Sequence, residues 1–234
     1  MTALLRSEKG ELRTAEPAPN FDRLAGIYQW VEALSFGPWL WRCRWAFPGE
    51  MRDRKRALVL GDGDGRFTAR LLHENPVVEI DALDGSPAML TALVRRAGVN
   101  RHRVRTQVAD LRSWSPQLSA RPGGRDYDLV VTHFFLDCLT MSEVETLAAR
   151  VRPLLVDDAV WVVSEFAVPA GWFGRLVAGP VVDFLYRAFG WMTGLQVREL
   201  PDYARALNSV GFQLVRRRNW LGGLLVSEVW ACAG

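Results

Sequence analysis

The sequence predicts an α/β fold: a doubly wound, mostly parallel, seven-stranded sheet with an antiparallel C-terminal edge and an N-terminal helical cap. Three observations predict it. From about residue 57 onward, short apolar runs alternate with amphipathic helical segments, the order that builds a parallel sheet with helices on both faces. The first run, Ala57-Leu58-Val59-Leu60, is continuously apolar and stops at glycine, as a strand buried on both sides does. The last two strand-like runs, 212–215 and 223–231, are separated by a short turn, which marks an antiparallel pair at the sheet edge.

The elements follow in chain order. Residues 1–19 are polar, end in Glu-Pro-Ala-Pro and are expected to form a flexible leader. Residues 20–234 are expected to form one domain, with 20–50 as the cap. Asn20 caps a predicted helix over 21–34, because Phe21, Leu24, Tyr28, Val31 and Leu34 recur at helical spacing. Gly37-Pro38 is expected to break that helix before a short second one over 39–47. The pattern then predicts helix 66–74, strand 77–83, helix 86–97, strand 103–108, strand 127–133, helix 142–151 and strand 158–165. Residues 170–195 interrupt the alternation with Gly, Pro and large apolar side chains, and are expected to form a lid-like insertion. A helix is predicted over 201–210.

Composition excludes several classes of function. At 234 residues, 49% apolar and 24% charged, the chain has ordinary globular proportions and can bury a full core. Cys43, Cys138 and Cys232 are an odd number with no C-x-x-C pair, and His73, His102 and His133 are scattered, so no metal site is expected. A net charge of +3, spread over arginine clusters, is small for a nucleic-acid binder and argues against such a partner. No uncharged run approaches the roughly twenty residues of a membrane span, and the charged N-terminus does not resemble a signal peptide. A cytoplasmic protein is expected.

The segment carrying chemistry is Gly61-Asp62-Gly63-Asp64-Gly65, between the first strand and a helix. Glycines stand there where a backbone turns tightly and a ligand approaches the main chain. Asp84 follows at the end of the second strand, about twenty residues on, where a carboxylate accepts hydrogen bonds from ribose hydroxyls. Asp110, with Leu111 after it, stands at the end of the third. A dinucleotide fingerprint would need glycine where Arg66 stands, and no Gly-Lys-Ser/Thr follows to make a P-loop.

With these residues the chain resembles the class I S-adenosylmethionine-dependent methyltransferases. The resemblance implies S-adenosyl-L-methionine as cofactor. Its methionine portion would be held by Gly61, Asp62, Gly63 and Gly65, its ribose by Asp84, and its adenine beside Asp110 and Leu111. Gly85, Ser86 and Met89, in DGSPAML, match the next helix start. FDRLAGIYQWVEALSFG, with Tyr28, SEFAVP and LPDYARALNSVGF are similar to segments of the ubiquinone/menaquinone-biosynthesis C-methyltransferases. Asp137 and Cys138 stand where that family carries Arg-Asn, and Gln29 where it carries Asp, which weighs against a quinone acceptor.

His133, at the end of the fourth strand, is the candidate general base, with Asp137 four residues on to orient it. The cap and the lid, with Phe173, Phe184, Tyr186 and Trp191, suit an aromatic, quinol-like or lipid-like small-molecule acceptor methylated on carbon or oxygen. Arg175 and Arg187 also allow peripheral membrane contact of the lid. Two other functions fit the sequence: a cofactor-binding protein of this fold without methyl transfer, and an RNA methyltransferase. Nothing in the sequence sets the oligomeric state.

Overall fold

The computed structural model describes residues 37–116, 126–169, 171–172, 174–180 and 200–232. The predicted leader, helix 21–34 with Tyr28, and most of the lid lie outside the described residues.

Seven strands form one sheet: β1 (Arg56–Leu60), β2 (Glu79–Asp84), β3 (Val104–Val108), β4 (Tyr127–His133), β5 (Leu155–Phe166), β6 (Phe212–Trp220) and β7 (Leu225–Cys232). Their order across the sheet is β3-β2-β1-β4-β5-β7-β6. The first five are parallel, and β7 runs antiparallel between β5 and β6. Chain direction across the sheet reverses at β1, whose neighbours are β2 and β4. Ligands of open α/β sheets bind in the crevice at such a switch point, beyond the carboxyl ends of the strands.

The helices are α1 (Gly37–Arg44), α2 (Arg66–Glu74), α3 (Pro87–Ala97), α4 (Met141–Val151) and α5 (Tyr203–Ser209). Side chains alternate between the two faces of each strand. Val59, Ile80, Leu129 and Val131 pack with Phe67 and Leu71 of α2 and Leu93 of α3. Leu58, Leu60, Val130 and Trp161 pack on the other face with Leu147 and Ala148 of α4 and Leu207 of α5. The Trp161 indole finds a buried acceptor, donating to Thr132 Oγ1 at 3.0 Å. Asn75, fully buried after α2, uses its amide fully: Nδ2 donates to the Met51 and Arg54 carbonyls at 2.9 and 2.7 Å. Its Oδ1 accepts from the Val77 and Val78 amides, both at 3.0 Å. One side chain thereby ties the segment before β1 to the start of β2.

Most boundaries shift by one or two residues from the sequence reading, and three differences have a local cause. Helix α1 includes Gly37 and Pro38 and ends at Arg44, whereas the sequence reading placed it over 39–47; proline without its N–H is tolerated in a first helical turn. Strand β5 starts at Leu155, three residues early: Leu155 is buried in the core, and exposed Asp157 and Asp158 after it interrupt the apolar run. Strand β6 continues through Arg216-Arg217-Arg218 to Trp220 because it is an edge strand exposed along most of its length. It carries a bulge between Leu214 and Arg216.

Candidate active site

The turn after β1 is held in a conformation that glycine adopts freely. Gly61, Gly63 and Gly65 have φ of 70°, 61° and 78°, the left-handed region that costs other residues free energy. At Gly61 an added Cβ would meet Phe135 Cδ2 at 2.5 Å, and at Gly65 the Leu93 Cα at 2.6 Å. At Gly63 the nearest atom would be Met89 Sδ at 3.9 Å. The outer two glycines are therefore closed over by protein, and the middle one presents bare backbone.

Asp84, the last residue of β2, buttresses this turn. Its Oδ2 accepts from the Gly63 amide at 3.2 Å and its Oδ1 from the Ser86 amide at 2.9 Å. Burial pushes its pKa up, while these amides pull it back. Ser86 caps α3 by accepting from the Met89 amide at 3.3 Å, and Gly85 lies between carboxylate and cap. With the Gly63, Gly85 and Ser86 amides on its two oxygens, the carboxylate retains acceptor capacity for a ligand. Asp62 anchors α2: Oδ2 accepts from the Thr68 amide at 2.9 Å in its first turn, and burial raises its pKa to about 6. Asp64 is a turn residue bound to Arg96 at 2.8 Å and Arg66 at 3.1 Å. Asp110 is gripped by Arg112 through Nε at 2.9 Å and Nη2 at 2.7 Å, which lowers its pKa, and Leu111 beside it is buried.

The expected His133–Asp137 pair does not form. His133 is 4% exposed, packs edge-on against Phe67 of α2 at 4.5 Å between ring centroids, and among the described residues neither ring nitrogen has a hydrogen-bond partner. Burial first, and then the charge of Arg44, hold its pKa well below the ordinary 6.5, so the imidazole is neutral. The chain reverses at Phe134, whose φ is 54°, before a 3-10 turn over Leu136–Cys138. Asp137, on that turn, accepts from the Cys138 thiol at 3.3 Å, and its charge bears on Glu165 near the end of β5.

Two residues unremarked in the sequence belong to this edge. Glu165 is 1% exposed, and its Oε1 accepts from the Phe135 and Leu136 amides at 3.1 and 2.8 Å. Arg44, 8% exposed at the end of α1, lies over the Phe134 ring at 5.4 Å and bears electrostatically on Asp62 and His133. A glutamate in an apolar strand and an arginine ending a helix carry no spacing signal; their partners are distant in sequence.

The glycine turn and the acidic tips of the next two strands thus lie at one sheet edge. Residues 58–161 match the sequence model of the methyltransferase domain family. Comparison with curated protein sequences finds no match. Among solved structures, the chain is similar to the S-adenosylmethionine-dependent methyltransferase SibL in its apo form (20% identity, 94% of this chain and 64% of that one, TM-score 0.63). It is also similar to an O-methyltransferase family protein from Burkholderia thailandensis (15% identity, 92% and 61%, TM-score 0.65). A third is the 1,6-didemethyltoxoflavin-N1-methyltransferase of Burkholderia thailandensis, with 1,6-didemethyltoxoflavin and S-adenosylhomocysteine bound (18%, 95% and 94%, TM-score 0.55). The chain spans less than two thirds of the length of the first two. The match over residues 58–161 and the solved structures agree on one architecture: the chain has the class I methyltransferase fold. Among the described residues, no helix is long and apolar enough to cross a membrane.

Proposed function

We propose that the protein is an S-adenosyl-L-methionine-dependent methyltransferase acting on a small aromatic, quinol-like or lipid-like acceptor. The observation that carries this reading is the open face of Gly63, buttressed by Asp84 at the tip of the adjacent strand. These residues fit the cofactor: bare backbone where it must approach closely, and a carboxylate able to accept from its sugar hydroxyls. Met89, Leu111 and the Asp110 region would border the adenine, while Gly61, Gly65, Gly85 and Ser86 shape the loops around it. Asp62 and Arg44 bring opposite charges to one corner, suited to the ammonium and carboxylate of an amino acid. When bound, S-adenosyl-L-methionine supplies a methyl group already activated on a sulfonium.

The chain's own contribution is then largely orientation and the exclusion of water. His133 serves this as a neutral, buried side chain packed edge-on against Phe67. Neighbours that are N- and O-methyltransferases, one of them holding a small heteroaromatic compound, support a small-molecule acceptor. The finer kinship with ubiquinone/menaquinone C-methyltransferases rests on the N-terminal FDRLAGIYQW segment, including Tyr28, and on SEFAVP.

Calorimetric titration with S-adenosyl-L-homocysteine tests the reading. The wild type is expected to bind, and Asp84→Ala to bind at least about tenfold more weakly, the scale of one lost hydrogen bond to a charged group. No heat with the wild type, or unchanged affinity in Asp84→Ala, overturns it.

A further inference from the structure

Two short stretches of the chain carry no carboxylate: residues 37–49, which include α1, and residues 166–180, which follow β5. Both are seated on the same two side chains. Leu40 and Cys43 of α1 lie in a buried cluster against which Phe166 and Leu221 pack. Ala178 lies with Leu224 in a second cluster, against which the same Phe166 and Leu221 pack. The two stretches are therefore neighbours at the tip of β5, on the carboxyl edge of the sheet that carries the glycine turn.

Their outward sides are apolar and cationic. Trp172 and Leu176 are 71% and 72% exposed, and Trp39 and Val168 are exposed as well. Trp172 and Leu176 stand four residues apart around the helical turn Gly174–Ala178, so they share a face, while Ala178 is turned inward. Both exposed tryptophans of the described residues thus fall in this patch. The Arg42 guanidinium lies 4.9 Å from the centre of the Trp39 ring, and exposed Arg175 directly precedes Leu176. Among the described residues, neither arginine has an ion-pair partner.

This combination suits a lipid bilayer with anionic headgroups. Tryptophan settles at the membrane–water interface, where one end of the ring is apolar and the other wet. Arginine lays its stem along apolar surface while its head reaches phosphate oxygens. A carboxylate would be repelled there, and neither stretch contains one. No helix of the described residues is long and apolar enough to cross a membrane, so the contact lies on the surface.

We propose that α1 and residues 166–180 together form a docking surface for an anionic lipid bilayer. Trp39, Trp172 and Leu176 enter the boundary between headgroups and acyl chains, and Arg42 and Arg175 meet lipid phosphates. The docking stands independently of the methyltransferase reading. Where that reading holds, an apolar acceptor dissolved in the bilayer is delivered to the sheet edge that carries the glycine turn.

Co-sedimentation of the full chain with vesicles tests the surface, using phosphatidylcholine alone and phosphatidylcholine with about one third phosphatidylglycerol. Each arginine near an anionic surface contributes about fivefold in affinity. The anionic vesicles are therefore expected to bind at least about tenfold more tightly than the neutral ones, and less tightly as salt rises. Trp172→Ser with Leu176→Ser is expected to weaken binding to anionic vesicles at least about tenfold. Arg42→Gln with Arg175→Gln is expected to bring the two kinds of vesicle within about threefold of each other. Val77→Ser with Val99→Ser, at exposed apolar positions just before β2 and β3 at the far end of the sheet, is expected to change neither. No binding to anionic vesicles, equal binding of both kinds by the wild type, or equal losses in the Val77/Val99 and Trp172/Leu176 double variants overturns the proposal. A dimer in sedimentation velocity that the Trp172/Leu176 substitutions dissolve, without vesicle binding, assigns the face to a second copy and overturns it likewise. Affinity for S-adenosyl-L-homocysteine is measured in parallel. Vesicle binding by a protein that does not bind that compound upholds the docking surface and overturns the methyltransferase reading instead.

Discussion

Replacing each of two neighbouring glycines by alanine separates their roles. Both have left-handed φ, 61° at Gly63 and 78° at Gly65, so alanine at either position costs about 1–2 kcal/mol of backbone strain. Their surroundings differ. At Gly65 the new methyl would lie 2.5 Å from Leu93 Cγ and 2.6 Å from its Cα, and the Cα belongs to a helix that cannot yield locally. Overpacking of that kind adds about 1–3 kcal/mol. Gly65→Ala is therefore expected to destabilise by about 2–5 kcal/mol and Gly63→Ala by about 1–2 kcal/mol. Urea denaturation without ligand, followed by fluorescence of the buried tryptophans, measures both. Binding of S-adenosyl-L-homocysteine should rank differently: Gly63→Ala, the milder change to the fold, loses at least about tenfold in affinity because its methyl occupies the open face. Equal destabilisation by the two substitutions, or full affinity in Gly63→Ala, refutes the assignment of Gly63 as the open position.

Two further outcomes follow from buried polar groups. Asn75→Ala removes four hydrogen bonds and strands two carbonyls and two amides, so a loss of at least about 3 kcal/mol in denaturation is expected, with little change in cofactor affinity for whatever fraction is folded. His133→Leu removes an imidazole with two unpartnered nitrogens, and is expected to stabilise by about 1 kcal/mol near pH 8. The folded pKa of His133 lies below its ordinary 6.5, so the unfolded chain binds the proton first. The wild type therefore loses stability as pH falls through 6.5, by up to about 1.4 kcal/mol per pH unit, and His133→Leu lacks that contribution. Denaturation of both proteins from pH 8 to pH 5.5 checks the sign; a constant difference between them contradicts a neutral, unbonded imidazole.

The parts of the molecule legible in the sequence are those whose cause is local. Glycines at 61, 63 and 65 announce a left-handed turn, and Asp84 ends a strand at the spacing a nucleotide fold requires. Helix Arg66–Glu74 and strand Tyr127–His133 match their predicted limits because their apolar periodicity stops where burial stops. What escaped depends on distant partners. Glu165 resembles any polar residue near a strand end until the amides of residues 135 and 136 are folded over it. His133 resembles a base because spacing to Asp137 says nothing of the reversal at Phe134, which sends the two side chains apart. Strand β6 exceeded its apolar signal since an edge strand needs one pairing neighbour, and β7 provides it through Trp220.

That edge strand has a consequence for the behaviour of the protein in concentrated solution. With β7 on one side only, β6 leaves a row of backbone groups that invites a strand from another molecule, and exposed Leu214 and Val215 add to the invitation. The bulge after Leu214 breaks the regular template, and the long side chains of Arg216, Arg217 and Arg218 are anchored to Glu50, to Glu228 and to the Ala46 carbonyl, at 3.3, 3.3 and 3.0 Å. Bulges and charged side chains at a strand edge are the devices that keep such edges from pairing with another molecule.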